Sequence, residues 1–306
     1  MAVYTEVTDD DLNAFLAGYD VGHLLSYKGI AEGVENTNYI VHTETGPFIL
    51  TLYEKRVNGN DLPYFLGLME HLAHAGLSCP IPVRDRNGRN LNKLAERDAA
   101  LVTFLEGVWP RRPKPGHCVE LGRTLAELHL AGQTYPGQRT NSLSVSDWRP
   151  LYEKFSGQAD TIYSGLADLL QSELTLLESQ WPQDLPRGVI HADLFPDNVF
   201  FIGEKLSGLI DFYFACNDAL AYDIAICLNA WCFEPDFSFN ITKGRALLRA
   251  YEKVRPLSAL EVAAMPTLAR GAAVRFLLTR CYDWLNTPAD AVVHPHNPID
   301  YLRRLR

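Results

Sequence analysis

The stretch VIHADLFPDNVFF, residues 189–201, sets His191, Asp193, Asp197 and Asn198 between two runs of strand-forming residues. Asp, Asn and Pro together are ordinary turn chemistry, so the stretch alone reads as a turn. A residue further along the chain opens a second possibility: Asp211 stands thirteen positions after Asn198, in SGLIDFYFA. Residues 199–202 and 206–210 read as a hairpin turning at Gly203-Glu204-Lys205, which sets Asn198 and Asp211 side by side at its open end. Two oxygen ligands there suit Mg²⁺, which keeps several waters and takes the rest of its shell from phosphates. Asp193 is then left to point at whatever receives a phosphoryl group. Asp197 has no part in that arrangement and reads as a solvated or turn-capping residue.

The elements that must position these residues are legible from hydrophobic period. After a short helical start, NYIVHTETGPFILTLYE reads as strands over 38–43 and 48–54 with a turn around Thr45-Gly46. Asn60 and Asp61 offer caps before Pro63, and Leu62, Leu66, Met69 and Ala73 come at helical spacing. CPIPV and AALVTFLEG resume a strand pattern, so residues 25–104 predict a small antiparallel sheet with one helix. From Gly116 the signal turns helical, with Leu121, Leu125 and Leu128 on one stripe and Leu166, Leu170, Leu174 and Leu177 on another. A β-rich segment over 189–214 interrupts the helices. GVWPRRPKPGH, residues 107–117, is the Pro-rich connector between the two parts.

Composition narrows the class of ligand. The 306 residues are 47% hydrophobic and 21% charged, ordinary for a globular chain of one large or two smaller domains. A formal charge of −9 repels nucleic acid and anionic membrane, so a small-molecule ligand is expected and neither of those partners is. Six cysteines carry no C-x-x-C pair and sit among apolar neighbours. The acidic start lacks a basic n-region, and no run approaches the ~20 apolar residues of a membrane span. A reducing, cytoplasmic setting is expected. His294 and His296 lie beside prolines without a nearby third ligand and read as surface loop.

H-x-D-L-x-x-x-N followed by a metal-binding Asp resembles the catalytic core of the protein-kinase-like fold, in the branch of aminoglycoside and choline phosphotransferases. The resemblance covers nearly the whole chain and implies an α+β, two-lobed fold: a sheet-containing nucleotide-binding lobe over 1–106 and a helical lobe over 107–306. It implies Asp193 as catalytic base, Asn198 and Asp211 as Mg²⁺ ligands, His191 as a structural loop residue and Asp223 as the buried helix-capping brace of the loop. ATP would lie in the cleft, with Gly29 and Gly33 letting loop amides approach its phosphates and the backbone of Phe104, Leu105 and Glu106 meeting adenine. One departure stands out: the family places a lysine on its third strand, and FILTLYEKR has Thr51 there, with Lys55 and Arg56 ~13 Å further along a strand. Glu70 would be that lysine's ion-pair partner.

GIAEGVENTNYIV, FILTLYEKR, HADLFPDNVFF and IDFYFACNDALAYDIAICLNAWCFE together look like the homoserine kinases of this fold. That implies phosphorylation of L-homoserine for threonine synthesis. An acceptor with an ammonium and a carboxylate calls for an acid and a base near Asp193, and Tyr213, Asn217, Asp218, Arg275 and Arg280 are the candidates. Asp218 is expected to take the ammonium and one arginine the carboxylate. Alternatives are a kinase of choline, an aminoglycoside or a methylthioribose-like sugar, or a non-catalytic nucleotide-binding relative. Trp231 and Trp284 offer aromatic faces for a choline cage.

Overall fold

The computed structural model describes residues 5–30, 36–54, 58–288 and 295–305; Gly33, Lys55, Arg56 and His294 lie outside them. The chain divides into two compact units, one of Met1–Gly107 with Ser207–Tyr213, the other of Val108–Leu206 with Phe214–Arg306. The first unit is thus discontinuous, which a single boundary after residue 106 does not capture.

The first unit is built on strands β1 (Leu24–Gly29), β2 (Thr37–Thr43), β3 (Gly46–Tyr53), β4 (Asn92–Leu94) and β5 (Arg97–Thr103). They form one antiparallel sheet in the order β1-β2-β3-β5-β4. Side chains on a strand alternate faces, so Tyr39 and Val41, Leu50 and Leu52, and Ala99 and Leu101 line one side, where Leu12 and Leu16 of α1 (Asp9–Leu16) cover them. Each such leucine is worth ~1.5–3 kcal/mol of burial. Helix α2 (Leu62–His74) starts on Pro63, whose fixed φ suits a first turn. The expected cap shifts by two residues or more: Asp61 makes no side-chain cap bond to α2, and Asn58 instead caps the short 3₁₀ turn before it. CPIPV is not a strand either. Pro80 and Pro82 have no N–H for a ladder, and the segment contributes one bridge, Pro82 to Val102.

The second unit carries α3 (Pro115–Gly132), α4 (Val145–Glu153), α5 (Ala159–Ile162), α6 (Leu166–Gln180), α7 (Leu220–Trp231), α8 (Ile241–Glu252), α9 (Ala259–Asn286) and α10 (Ile299–Leu305). The two leucine stripes are fully buried, as their spacing predicts. Strand β6 (Arg187–Ile190) pairs antiparallel with β9 (Cys216–Ala219). Strand β7 (Val199–Ile202) pairs with β8 (Lys205–Leu209), and the boundary between units falls inside β8. Their turn is tighter than expected, with Gly203 at φ 62° supplying the left-handed residue and Lys205 already in the strand. Helix α9 opens with a reciprocal Ser258–Glu261 capping box, which fixes the start of the 28-residue helix that bears both candidate arginines.

Candidate active site

The loop between β6 and β7 is pinned from beneath. Asp223, in the first turn of α7 and fully buried, accepts the His191 N–H at 2.7 Å and the Ala192 N–H at 2.9 Å. Ala192 sits at φ 64°, a left-handed conformation that a residue with a Cβ holds only when its surroundings impose it. The two amide bonds are that imposition. Burial pushes the Asp223 carboxyl up, but the His129 ring, His191 and the loop amide outweigh it and the net shift is down. Asp223 therefore stays ionised in the core, where an unpaired carboxylate would cost several kcal/mol.

Above this brace, Asn198 donates its amide to the Asp193 backbone carbonyl at 2.8 Å and to Asp193 Oδ2 at 3.3 Å. The five-residue spacing read from the sequence is what closes this bond across the 3₁₀ turn Pro196–Asn198. Burial pushes the Asp193 carboxyl up to about 6, against the pull of Arg275. Its side chain keeps 18% exposure, enough for a ligand to reach.

Arg275 separates from Arg280 in this setting. Arg275 is 4% exposed, stacked 3.8 Å over the Phe276 ring, with Nη1 3.6 Å from Asp193 Oδ1 and without a hydrogen-bond partner. A buried guanidinium nitrogen is ordinarily hydrogen-bonded, so one left this incompletely paired is unusual. Arg280 instead has Asp300 at 3.6 Å, the Asn297 carbonyl at 3.4 Å and the Tyr301 ring beneath it. No spacing argument on one helix predicts that difference, because Asp300 and Tyr301 come from α10 and Asp193 from the loop between β6 and β7.

The acid expected to face an ammonium is committed elsewhere. Asp218 is 3% exposed and takes bonds from Asn141 at 2.7 Å, Arg187 at 2.9 Å and the Ala219 N–H at 2.7 Å. Three of its roughly four lone-pair positions are filled, which corrects its assignment as an acceptor-site acid. Asn217 is likewise structural: its Oδ1 accepts the Arg139 N–H at 2.8 Å and its own N–H returns to the Arg139 carbonyl at 2.7 Å. Trp231 is 1% exposed and donates its indole N–H to the Leu194 carbonyl at 2.7 Å, so it is core and cannot wall an open choline cage. Trp284 stays half-exposed on α9.

In the first unit, Asp211 is exposed and left-handed at φ 64°, a conformation that Asp tolerates better than most residues. The residues after it anchor the segment: Tyr213 Oη lies 3.1 Å from Tyr53 Oη, and its ring packs edge-on against Tyr53 and Phe65. Thr51 sits beside this cluster, 3% exposed, donating to Asn38 Oδ1 at 2.8 Å. The strand-three position is thus a buried hydroxyl. Glu70 pairs with Arg84 at 2.8 Å, which replaces the lysine partnership expected for it. Gly29 ends β1 opposite Tyr39. Phe104, Leu105 and Glu106 come after β5 as irregular chain, with the Glu106 carbonyl taking the Ser207 hydroxyl at 2.7 Å and Gly208 close against Leu105.

Comparison with known proteins matches a family model described as "Phosphotransferase enzyme family" to residues 26–257, well over half of the chain. The chain belongs to the phosphotransferase enzyme family. A homoserine kinase of Xanthobacter autotrophicus is 64% identical over 306 residues, covering 100% of this chain and 95% of that one. A homoserine kinase of Rhizobium meliloti is 60% identical over 306 residues, covering 100% and 94%. Among solved structures, a spectinomycin phosphotransferase in complex with ADP and spectinomycin matches at TM-score 0.71 and 12% identity, covering 98% of this chain and 94% of that one. A microcompartment-associated aminopropanol kinase matches at 0.66 and 18%, covering 97% and 93%. At such identities the likeness is one of fold, and the fold is the α+β, protein-kinase-like one.

Proposed function

We propose that this protein transfers the γ-phosphoryl group of ATP to the side-chain hydroxyl of L-homoserine, giving O-phospho-L-homoserine. The observation that carries the reading is identity of 60% to 64%, over the whole chain, to proteins named homoserine kinase. Asp193 serves as the base that orients the hydroxyl and accepts its proton, and a carboxyl raised to about 6 is suited to that near neutral pH. Asn198 holds Asp193 through its bonds to the backbone carbonyl and to Oδ2. Arg275, with a buried and underpaired Nη1, takes the acceptor's carboxylate, and Arg280 with Asp300 closes the same side. Gly29, Phe104, Leu105 and Glu106 belong to the nucleotide's surroundings.

Asn198 and Asp211 each carry, by the chemistry of the side chain alone, a donor that suits a divalent cation. Asn198 spends its amide nitrogen on Asp193, which leaves Oδ1 as a neutral oxygen donor, and Asp211 offers an exposed carboxylate. Hard oxygen donors of this kind suit Mg²⁺. A cation held by these donors would supply neutralisation of the nucleotide's phosphate charge. Thr51 supplies no cation on the third strand, so more of that charge falls to backbone amides and the metal. Among the described residues no helix is long and apolar enough to cross a membrane, and all six cysteines are free and buried. The free thiols support a reducing, cytoplasmic setting.

A coupled ADP-release assay with Mg-ATP and a panel of alcohols tests the reading. L-Homoserine is expected to exceed choline and simple alcohols by up to roughly 10⁴ in kcat/KM, because an acceptor lacking the carboxylate leaves Arg275 Nη1 buried without a hydrogen-bond partner. L-Serine keeps both charges but sets its hydroxyl ~1.5 Å short of the in-line position and is expected to be poor. Efficient turnover of choline or an aminoglycoside with homoserine untouched sinks the assignment.

A further inference from the structure

With Asp218 spent on Asn141, Arg187 and the Ala219 N–H, an acceptor's ammonium is left without an acid to meet it. Other carboxylates of the second unit are spent as well: Asp223 on the loop amides, Glu173 on Arg270 and Glu261 on Arg255, while Asp300 faces Arg280. Asp197 differs. Its sequence setting reads as solvated or turn-capping, yet it is exposed and, among the described residues, its carboxylate caps no turn and makes no hydrogen bond or ion pair.

The loop itself sets where that carboxylate stands. Phe195 donates its N–H to the Asp193 carbonyl at 2.8 Å and Asn198 donates its N–H to the Phe195 carbonyl at 3.0 Å, so residues 193–198 curl back on themselves through the 3₁₀ turn Pro196–Asn198. The Phe195 ring packs edge-on to Phe276 at 4.8 Å and lies 6.3 Å from Tyr301, which fastens the curl against α9 and α10. Helix α9 also brings Arg275, with its buried and unpartnered Nη1, to 3.6 Å from Asp193. Asp197 is close enough to act on the charge of Asp193, as Arg275 and Arg280 are. Asp193 therefore has guanidiniums and one further carboxylate about it. A zwitterion carries the complementary pair of charges, and homoserine holds both on one carbon, two methylenes from its hydroxyl.

We propose that Asp197 is the residue that selects for an amine in the acceptor: its carboxylate receives the ammonium while Arg275 takes the carboxylate. The role deepens the proposed function and rests on it, since it takes Asp193 as the base at the hydroxyl. Asp197 moves no proton. Its bond to the ammonium forms before transfer and persists through it, so the contribution falls on KM and on the choice among acceptors and not on kcat. A carboxylate that only solvates a turn would leave that choice untouched.

The test compares the full-length wild type with Asp197→Asn, a swap of equal size that removes only the charge, on three acceptors. These are L-homoserine, 3-amino-1-propanol, which lacks the carboxylate, and 4-hydroxybutyrate, which lacks the ammonium. Each is followed by ADP release, or as a competitive inhibitor of homoserine phosphorylation where its own turnover is too slow. In Asp197→Asn the KM or inhibition constant is expected to rise roughly tenfold for homoserine and for 3-amino-1-propanol, the share of one charge-assisted bond, and to stay within about twofold for 4-hydroxybutyrate. The kcat for homoserine is expected to stay within about threefold. Two results overturn the proposal: an unchanged KM for homoserine, or equal losses on all three acceptors, which is what damage to the loop would give. Either result in a protein whose wild type phosphorylates homoserine removes the role of Asp197 alone. If the wild type leaves homoserine unphosphorylated, the functional reading falls and the role of Asp197 falls with it.

Discussion

Asp193 and Asp223 serve the same loop and are both drawn into the protein, yet their carboxyls shift in opposite directions. Burial pushes both up. Asp193 meets it with Arg275 at 3.6 Å and one Asn198 contact, and stays up at about 6. Asp223 meets it with two loop amides and the His129 ring, and ends below the ordinary carboxylate range. Desolvation alone decides neither role. The number and closeness of donors separate a carboxylate that can exchange a proton from one that holds a backbone in place.

Removing the exchangeable carboxylate should have the largest effect. Asp193→Asn is expected to lower kcat by about 10² to 10⁴ with a folded protein by circular dichroism, the share of a positioned base. Near-normal turnover would end the assignment. Asp223→Ala reverses the pattern: it leaves two buried amides and His129 without their acceptor, and stability is expected to drop by about 3 kcal/mol in a urea titration. A loss below ~1 kcal/mol would show that the loop does not depend on this brace.

Subtler experiments act on the shift itself. The kcat/KM of the wild type is expected to fall tenfold per pH unit below about 6, where Asp193 takes up its proton, and to level off above it. In Arg275→Met the carboxyl loses its nearest cation, so that limb moves upward in pH as KM for the acceptor rises. A limb that stays in place separates Arg275 from Asp193. The stability contributions have opposite signs too. Asp223, lowered, stabilises the fold above its unfolded value of ~4, and this is lost as pH falls through its folded value. Asp193, raised, makes stability decline as pH rises from ~4 to about 6. The smallest effect belongs to Arg84→Ala, which breaks an exposed pair with Glu70 and should cost at most ~1 kcal/mol in the same titration.

What was legible in the sequence was local. Asn198 and Asp193 meet within one short loop, so their five-residue spacing foreshadows that contact, and the period-two pattern of β2 and β3 gave the hairpin. What failed depended on partners far along the chain. Asp218 accepts a hydrogen bond from Asn141, 77 residues away, and pairs with Arg187 across a strand pair, so nothing near it in sequence hinted that it was occupied. Arg275 and Arg280 differ through Asp193 on one side and Asp300 and Tyr301 on the other, none of them near in sequence. His129 did leave a trace, as a polar residue within the buried stripe of Leu121, Leu125 and Leu128, which is more often a satisfied core histidine than a working one.

The discontinuity of the first unit has a consequence for how the chain is made. Ser207–Tyr213 completes that unit: the Leu209 N–H bonds the Ser78 carbonyl at 3.0 Å, and Tyr213 seals the Tyr53–Phe65 cluster. On a ribosome adding ~5–20 residues per second, roughly a hundred further residues and ~5–20 s separate the synthesis of Gly107 from that of Ser207. During this interval the nascent sheet domain has its five strands but not its closing segment. The Tyr53 and Phe65 rings then lack the side chain that covers them, and Asp211 has not yet been made. Any fold the nascent strands reach before that point lacks the closing segment and Asp211, and leaves an unfinished aromatic surface for chaperones and proteases to meet.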